Sequence, residues 1–319
     1  MNNLSSRFTF PPLLSRGLKH IFVEHTDLTM RSQQYDRYMN VESSEDAYEI
    51  DYHLAGTGPM PEMPEGTRPA YDGLVQSGTK KYLHLPYGLA SQVTRQLVED
   101  DKYGQIRQIP KAHAKSALFA REAVSASILN LGGTLITTDD GVSLFNTAHP
   151  LPGGTEATSI GPGVSSIINS AGTYPNRPSP DADLSFTSLQ QAVNFFYRFI
   201  DGRGIPSMVR PKHLYIPPEL IMIAREILGS PGKPYTTDNE LNALQGENLE
   251  FCTLNYLTSP SAWFLFGAKE DTGLKFYERV GIQAQTDDDF QTQVLIFLTT
   301  QRFSAGASWW QSTYASFGP

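Results

Sequence analysis

The residues best equipped for chemistry lie in the stretch "ITTDDGVSLFNTAHPLPGG", residues 136–154. Asp139, Asp140, Ser143 and His149 are the residue types of a hydrolytic relay. A carboxylate would orient the imidazole, the imidazole would take a proton, and the hydroxyl would attack. Their placement argues against it. Triad partners normally come from distant segments, and no second segment of this chain offers a matching orienter. Asp140-Gly141 is a turn signal, and Pro150 biases His149 towards an extended backbone. A turn leading into a strand edge accounts for every residue in the stretch. No catalytic residue is assigned. The rival reading, a hydrolase using His149 and the nearby aspartates, predicts a monomer or a small oligomer.

The rest of the chain offers no replacement chemistry. The histidines His20, His25, His53, His84, His113, His149 and His213 are scattered. "HIFVEH", residues 20–25, lacks the spacing of a zinc helix. Neither a nucleophile elbow nor a phosphate-cradling glycine loop is present. The acidic runs Glu99-Asp100-Asp101 and Asp287-Asp288-Asp289 read as solvated helix-end and turn charges. Cys252 lies alone in "LEFCTLNYL", which reads as a buried strand. No metal and no cofactor are expected.

The elements that must position these residues follow from periodicity. The first forty or so residues read as an arm with one short helix around "LSRGLKHIFVEH". In "AYEIDYHLAG", Tyr48, Ile50, Tyr52 and Leu54 alternate with Glu49, Asp51 and His53, which is strand periodicity with one apolar face. A returning strand, "KKYLHLPYG", follows a connection rich in proline and glycine. Two strands alone are marginal in water, so this hairpin is expected to project and lie on something else. "YGLASQVTRQLVEDD" and "KAHAKSALFAREAVSASILNLGG" read as helices. The second places Ala117, Ala120, Val124, Ile128 and Leu131 on one face, with Lys115, Arg121 and Glu122 elsewhere on its surface. Residues 111–131 would span about 30 Å, a spine laid across a sheet.

Residues 151–183 read as a long surface excursion rich in glycine, proline and serine. A compact α/β unit follows. It has a helix carrying Leu189, Val193, Phe196 and Ile200, the strand "RPKHLYIPP", a helix opened by Pro218, and the strands "LEFCTLNYL" and "AWFLFGA". The last fifty or so residues form long strands, "GLKFYERVGIQAQ" and "TQVLIFLTTQRF", and Trp309 and Trp310 in the tail finish a core.

Composition limits the function. The chain has 319 residues, 39% hydrophobic and 11% aromatic, which is globular. Its net charge of −8 argues against a surface that grips nucleic-acid phosphates. The N-terminal stretch carries no apolar signal segment, and the densest aliphatic run, "VLIFL", is too short to cross a bilayer. A soluble protein made inside a cell, with no membrane contact, is expected.

Five segments in order carry a resemblance: "YEIDYHLAGTGPMPEMPEGTRPAYDG", "LHLPYGLASQVTRQLVEDDKYG", "DDGVSLFNTAHPLPGG", "RPKHLYIPPELIMIAREIL" and "RFSAGASWWQSTYASFG". Together they resemble the Mu-like major head subunit family, the HK97-fold capsid proteins of tailed bacteriophages, over most of the chain from about residue 13. The resemblance implies an α+β fold with an N-terminal arm (1–44) and an extended E-loop hairpin (45–85). It further implies a peripheral P-domain with the spine helix (86–150), an axial A-domain (151–268, with the loop 151–183) and P-domain C-terminal strands (269–319). "LFNTAHP" becomes a family marker between spine and axial domain.

What the resemblance implies about function is self-association. The hairpin, through Tyr48, Ile50, Tyr52, Leu54 and Tyr82, would pack over a neighbouring subunit, and the arm would do likewise. Pentamers and hexamers would close into an icosahedral shell around double-stranded DNA, held without sequence-specific binding. Scaffold, portal and decoration proteins would be separate chains. The protein would be assembled in the host cell cytoplasm and reside in the virion. An encapsulin-like compartment enclosing an enzyme shares the same fold and is the nearer rival.

Overall fold

The computed structural model describes residues 12–57, 60–94, 96–97, 100, 104–150, 173–201, 205–232, 241–289, 291–292 and 294–318. The first of its two four-stranded sheets consists of β1 (Asn40–Ser43), β10 (Leu274–Asp289), β11 (Val294–Ala307) and β4 (Leu85–Thr94), in that spatial order. β1 is parallel to β10, and the other pairs are antiparallel.

Side-chain alternation sorts this sheet into two faces with different tasks. On one face Leu295, Phe297 and Phe303 of β11 are buried, and two helices cover them: α1 (Pro12–Met30) and the spine helix α2 (Gln108–Asn130). Leu18 and Phe22, one turn apart on α1, join Val93, Ile106, Ala114, Leu295 and Phe297 in a small core. On the opposite face of β11 lie Ser304 and Gly306, where the base of the hairpin rests.

The spine helix buries Ala117 and Ile128 as their spacing predicts, but it also buries Arg121 and Glu122, which were expected on the surface. Each has a partner that explains its position. Arg121 donates to Gln301 Oε1 at 2.8 Å and to Glu278 Oε2 at 2.5 Å, with its guanidinium over the rings of Phe276 and Phe303. Glu122 accepts from the backbone N–H of Gln34 at 2.5 Å and of Tyr35 at 3.1 Å, and so holds the short 3-10 turn Tyr35–Arg37 against the spine. Burial pushes the Glu122 carboxyl up from its ordinary pKa, and these two N–H groups work against that shift.

The second sheet is smaller and apolar throughout its centre: β12 (Thr313–Ser316), β9 (Trp263–Phe266), β7 (His213–Ile216) and β8 (Glu250–Thr253), in that order. Helix α3 (Phe186–Phe196) starts with a capping box between Ser185 and Ser188. The predicted set Leu189, Val193, Phe196 and Ile200 is buried in full. Pro218 opens a 3-10 turn that leads into α4 (Ile221–Gly229), whose Ala224 and Ile227 are buried. Cys252 is half-buried, not enclosed, because β8 is an edge strand. One continuous core runs through both sheets, from Leu118 and Leu129 of the spine through Phe276 and Phe303 to Phe264, Phe266 and Trp310.

Three further expectations change. "YGLASQVTRQLVEDD" is not a helix over its first half: residues 85–94 are the edge strand β4, paired along its length with β11. Leu89 and Val93 are four apart, a spacing that suits a helix face and a strand face equally, so periodicity alone could not separate them. The arm does not simply reach away. Residues 12–30 form a 19-residue helix that packs on the chain's own sheet. The tail, assigned to the P-domain, returns as β12 to pair with β9 of the second sheet. Of the excursion 151–183, residues 151–172 lie outside the described residues, and 173–174 form a short strand, β6 (Thr173–Tyr174), paired with β5 (His149–Pro150).

Candidate functional site

The projecting element is a two-stranded antiparallel sheet of β2 (Tyr48–Ala55) and β3 (Val75–Leu83), separate from the two main sheets. Only His84 separates β3 from β4, so the hairpin is an outgrowth of the first sheet's edge. The register sets Tyr48 opposite Leu83, Glu49 opposite Tyr82, Ile50 opposite Lys81 and Asp51 opposite Lys80. Tyr48, Ile50, Tyr52 and Leu54 therefore share one face with Leu83, and Glu49, Asp51, His53, Lys80 and Tyr82 share the other.

The two faces have opposite fates. Tyr48, Ile50, Tyr52 and Leu54 remain 44%, 37%, 62% and 56% exposed, and Leu83 is exposed beside them. The polar face lies on the chain's own body. Asp51 accepts from the Tyr277 hydroxyl at 2.7 Å and from the Ser308 hydroxyl, and Tyr82 shares a 2.5 Å hydrogen bond with Ser308. Tyr82 meets Tyr277 edge-on and lies against Gly306, where a Cβ would be 2.6 Å from its ring. It is 3% exposed, so it has no area to offer a neighbour, and its assignment to the subunit interface is corrected. It anchors the hairpin to its own sheet. Burial drives its hydroxyl pKa far above the ordinary value, with the Ser308 hydrogen bond opposing.

At the root, His84 joins the two sides of the hinge. Its Nδ1 is 2.9 Å from Ser304 Oγ and its Nε2 is 3.0 Å from Ser44 Oγ, and Ser44 donates to Glu49 at 2.5 Å. Burial, followed by the nearby Arg302, lowers the His84 pKa.

The stretch that resembled an active site meets the hairpin higher up. Asp139 Oδ2 is 3.4 Å from His53 Nδ1, and the His53 ring stacks on Trp309 at 5.3 Å. Lys80 donates to the Thr137 carbonyl, and its ammonium pKa is lowered by burial. Asp140, the next residue, turns the other way. It accepts from His149 Nδ1 at 2.6 Å, from the Thr138 hydroxyl at 2.5 Å and from Val142 N–H at 3.0 Å. His149 is fully buried, stacked on Trp310 at 4.5 Å, and its Nε2 is 3.1 Å from Asn176 Oδ1. Both ring nitrogens are therefore engaged within the core. The Ser143 hydroxyl is turned to Phe145 O and Asn146, away from the imidazole. The aspartate–histidine pair thus braces a turn and is not joined to the Ser143 hydroxyl. Among the described residues no group of three His, Cys, Asp or Glu side chains could hold a metal, and no helix is long and apolar enough to cross a membrane.

Residues 79–314 match a protein family described as phage capsid protein. The chain belongs to this phage capsid protein family. Its function is to form a shell, and its place is the virion. The capsid subunit aligns with a chain of the procapsid of bacteriophage JBD30 at a TM-score of 0.51 and 16% identity, covering 98% of this chain and 77% of that one. For the capsid of cyanophage P-SCSP1u the TM-score is 0.57 at 9% identity, covering 90% and 88%. For a virus-like particle from Pyrococcus furiosus it is 0.52 at 10%, covering 95% and 99%. No curated protein matches the chain in sequence. The fold of the capsid subunit is thus the α+β, HK97-like one that the ordered segments implied.

Proposed function

We propose that this capsid subunit is the major head protein of a tailed, Mu-like phage, and that it assembles by laying the outer face of its hairpin on a neighbouring copy. The observation that carries the reading is the apolar row Tyr48, Ile50, Tyr52 and Leu54, which its own body leaves uncovered while holding the opposite face by polar contacts. Burying the exposed half of each side chain would contribute roughly 1 kcal/mol apiece before association entropy is counted. Weak contacts of this kind, repeated around rings of five and six subunits, close into a shell. The net charge of −8 suits a container for double-stranded DNA, because a strongly basic wall would hold the genome by counterion release and hinder its packing and exit. Scaffold, portal and decoration functions belong to separate chains.

The test is the fourfold replacement of Tyr48, Ile50, Tyr52 and Leu54 by serine. Soluble subunits with the thermal midpoint of the parent, and no shells by electron microscopy, are expected. Intact shells from that variant would refute the docking surface. A second reading, a shell of the same fold that encloses protein cargo, makes a different prediction about contents. Nuclease-protected DNA inside purified particles favours the phage head, and a stoichiometric second protein favours the compartment.

A further inference from the structure

We infer that the turn at residues 137–141 is a stop that fixes the elevation of the hairpin above its own sheet, and thereby the angle at which one capsid subunit meets the next. The inference rests on the reading that the hairpin's outer face docks on a neighbour. What it adds is the part that aims that face.

The first support is steric. Gly78 of β3 lies against the backbone of Asp139. A Cβ on Gly78 would be 2.8 Å from the Asp139 carbonyl carbon and closer still to its oxygen. This is backbone meeting backbone, with no flexible side chain to give way. Gly56 and Gly73, also in the hairpin segment, have nothing within 4 Å of the same added atom.

The second support is polar. On either side of this contact His53 faces Asp139 and Lys80 binds Thr137. His53 Nδ1 and Asp139 Oδ2 are both buried, lie 3.4 Å apart, and have no hydrogen-bond partner among the described residues.

The third support is the rigidity of the stop itself. Asp139 N–H donates to the Ser308 carbonyl at 2.9 Å, while Asp140 is tied to Thr138, Val142 and the buried His149. His149 in turn is held by Asn176 and by stacking on Trp310. The turn is therefore braced to the core on one side and carries the hairpin on the other.

The hinge below gives this contact leverage. Gly78 lies five residues beyond the end of β3 nearest His84, about 17 Å at strand rise. A displacement of about 1 Å there would tilt the hairpin by about 3°. Ring and shell closure depend on the angle between heterologous neighbours, so a small tilt repeated in every subunit alters or prevents closure.

The decisive comparison is Gly78→Ala against Gly73→Ala, each expressed as the full chain and examined for particle yield and diameter by electron microscopy. For Gly78→Ala the expected result is about a tenfold loss of shells of parental diameter, with open sheets or particles of other sizes in their place. The isolated subunit should keep its thermal midpoint. Gly73→Ala should assemble as the parent does. Parental shells in parental yield from Gly78→Ala would overturn the inference. If Gly78→Ala fails to fold, the paired change His53→Ala and Lys80→Ala loosens the same seat without adding an atom. Broadened diameters are then expected, and a single parental diameter overturns the idea. The fourfold serine variant separates the two readings. If it too builds shells, the docking surface itself is wrong; if it does not while Gly78→Ala builds parental shells, only the stop is wrong.

Discussion

β9 and β2 are both rich in large apolar residues, and the chain treats them in opposite ways. Trp263, Phe264, Leu265 and Phe266 of β9 are all buried, because that strand lies in the middle of a sheet covered on both sides. In β2 apolar and polar residues alternate, and it is the polar ones that face the body. A strand's apolar face is thus not always the one its own subunit covers. Within β9, burial drives folding. Within β2, Asp51, His53 and their partners hold the element on the body, and the apolar row stays exposed, open to the neighbour contact we propose. An exposed contiguous apolar strip on an otherwise acidic protein calls for a covering surface.

The comparison can be broken most forcefully from the β9 side. Trp310 is buried at the join between the two sheets, against His149, Tyr174 and Phe199. Trp310→Ala should destabilise the subunit by about 3–5 kcal/mol in urea unfolding and abolish assembly through loss of the folded subunit. A Trp310→Ala subunit of parental stability would mean that the core and the hairpin do not differ as described.

A smaller effect is expected at the brace beneath the hairpin. Burial alone would raise the Asp140 pKa, but hydrogen bonds from His149, Thr138 and Val142 N–H more than offset it, so the carboxyl is held below its ordinary value. A depressed carboxylate contributes stability that is present above the unfolded pKa of about 3.9. That stability is lost as pH falls through the lower folded value. Asp140→Asn should therefore cost about 2 kcal/mol near neutrality, and the gap to the parent should close in acid, below about pH 4. A gap that stays constant from neutrality into acid would count against the ionised Asp140 carboxylate.

Much of this division was legible in the sequence, and the failures have physical causes. The hairpin was readable because Tyr48, Ile50, Tyr52 and Leu54 alternate with polar residues between long connections. Tyr82 was misplaced because residue type cannot reveal a face. Which side of β3 it takes depends on the register with β2, and a long connection does not fix register as a two-residue turn does. Arg121 and Glu122 were misplaced because charged residues are usually exposed, and their partners Gln301, Glu278 and the Gln34 and Tyr35 backbone lie far away in sequence. The role of Asp139 could not be read at all. Consecutive aspartates in one turn look alike in sequence, and only the fold shows that one is turned to His53 and the other to His149.

The smallest expected effect on folding is the one that sharpens the comparison most. Tyr52 is the most exposed of the four outer-face residues. Tyr52→Ala removes nearly as many apolar atoms as a core truncation would, yet it should change subunit stability by no more than about 0.5 kcal/mol, the range of surface substitutions. Its consequence should appear only when subunits meet, as a rise in the protein concentration needed to form shells, read by light scattering across a dilution series. Loss of about 1 kcal/mol per contact corresponds to roughly a fivefold weaker association at each copy of the interface, and a shell multiplies that loss over every neighbour. Should Tyr52→Ala instead lower the unfolding midpoint and leave the assembly threshold untouched, the residue would be working inside its own subunit, and the outer face of β2 would be ordinary surface.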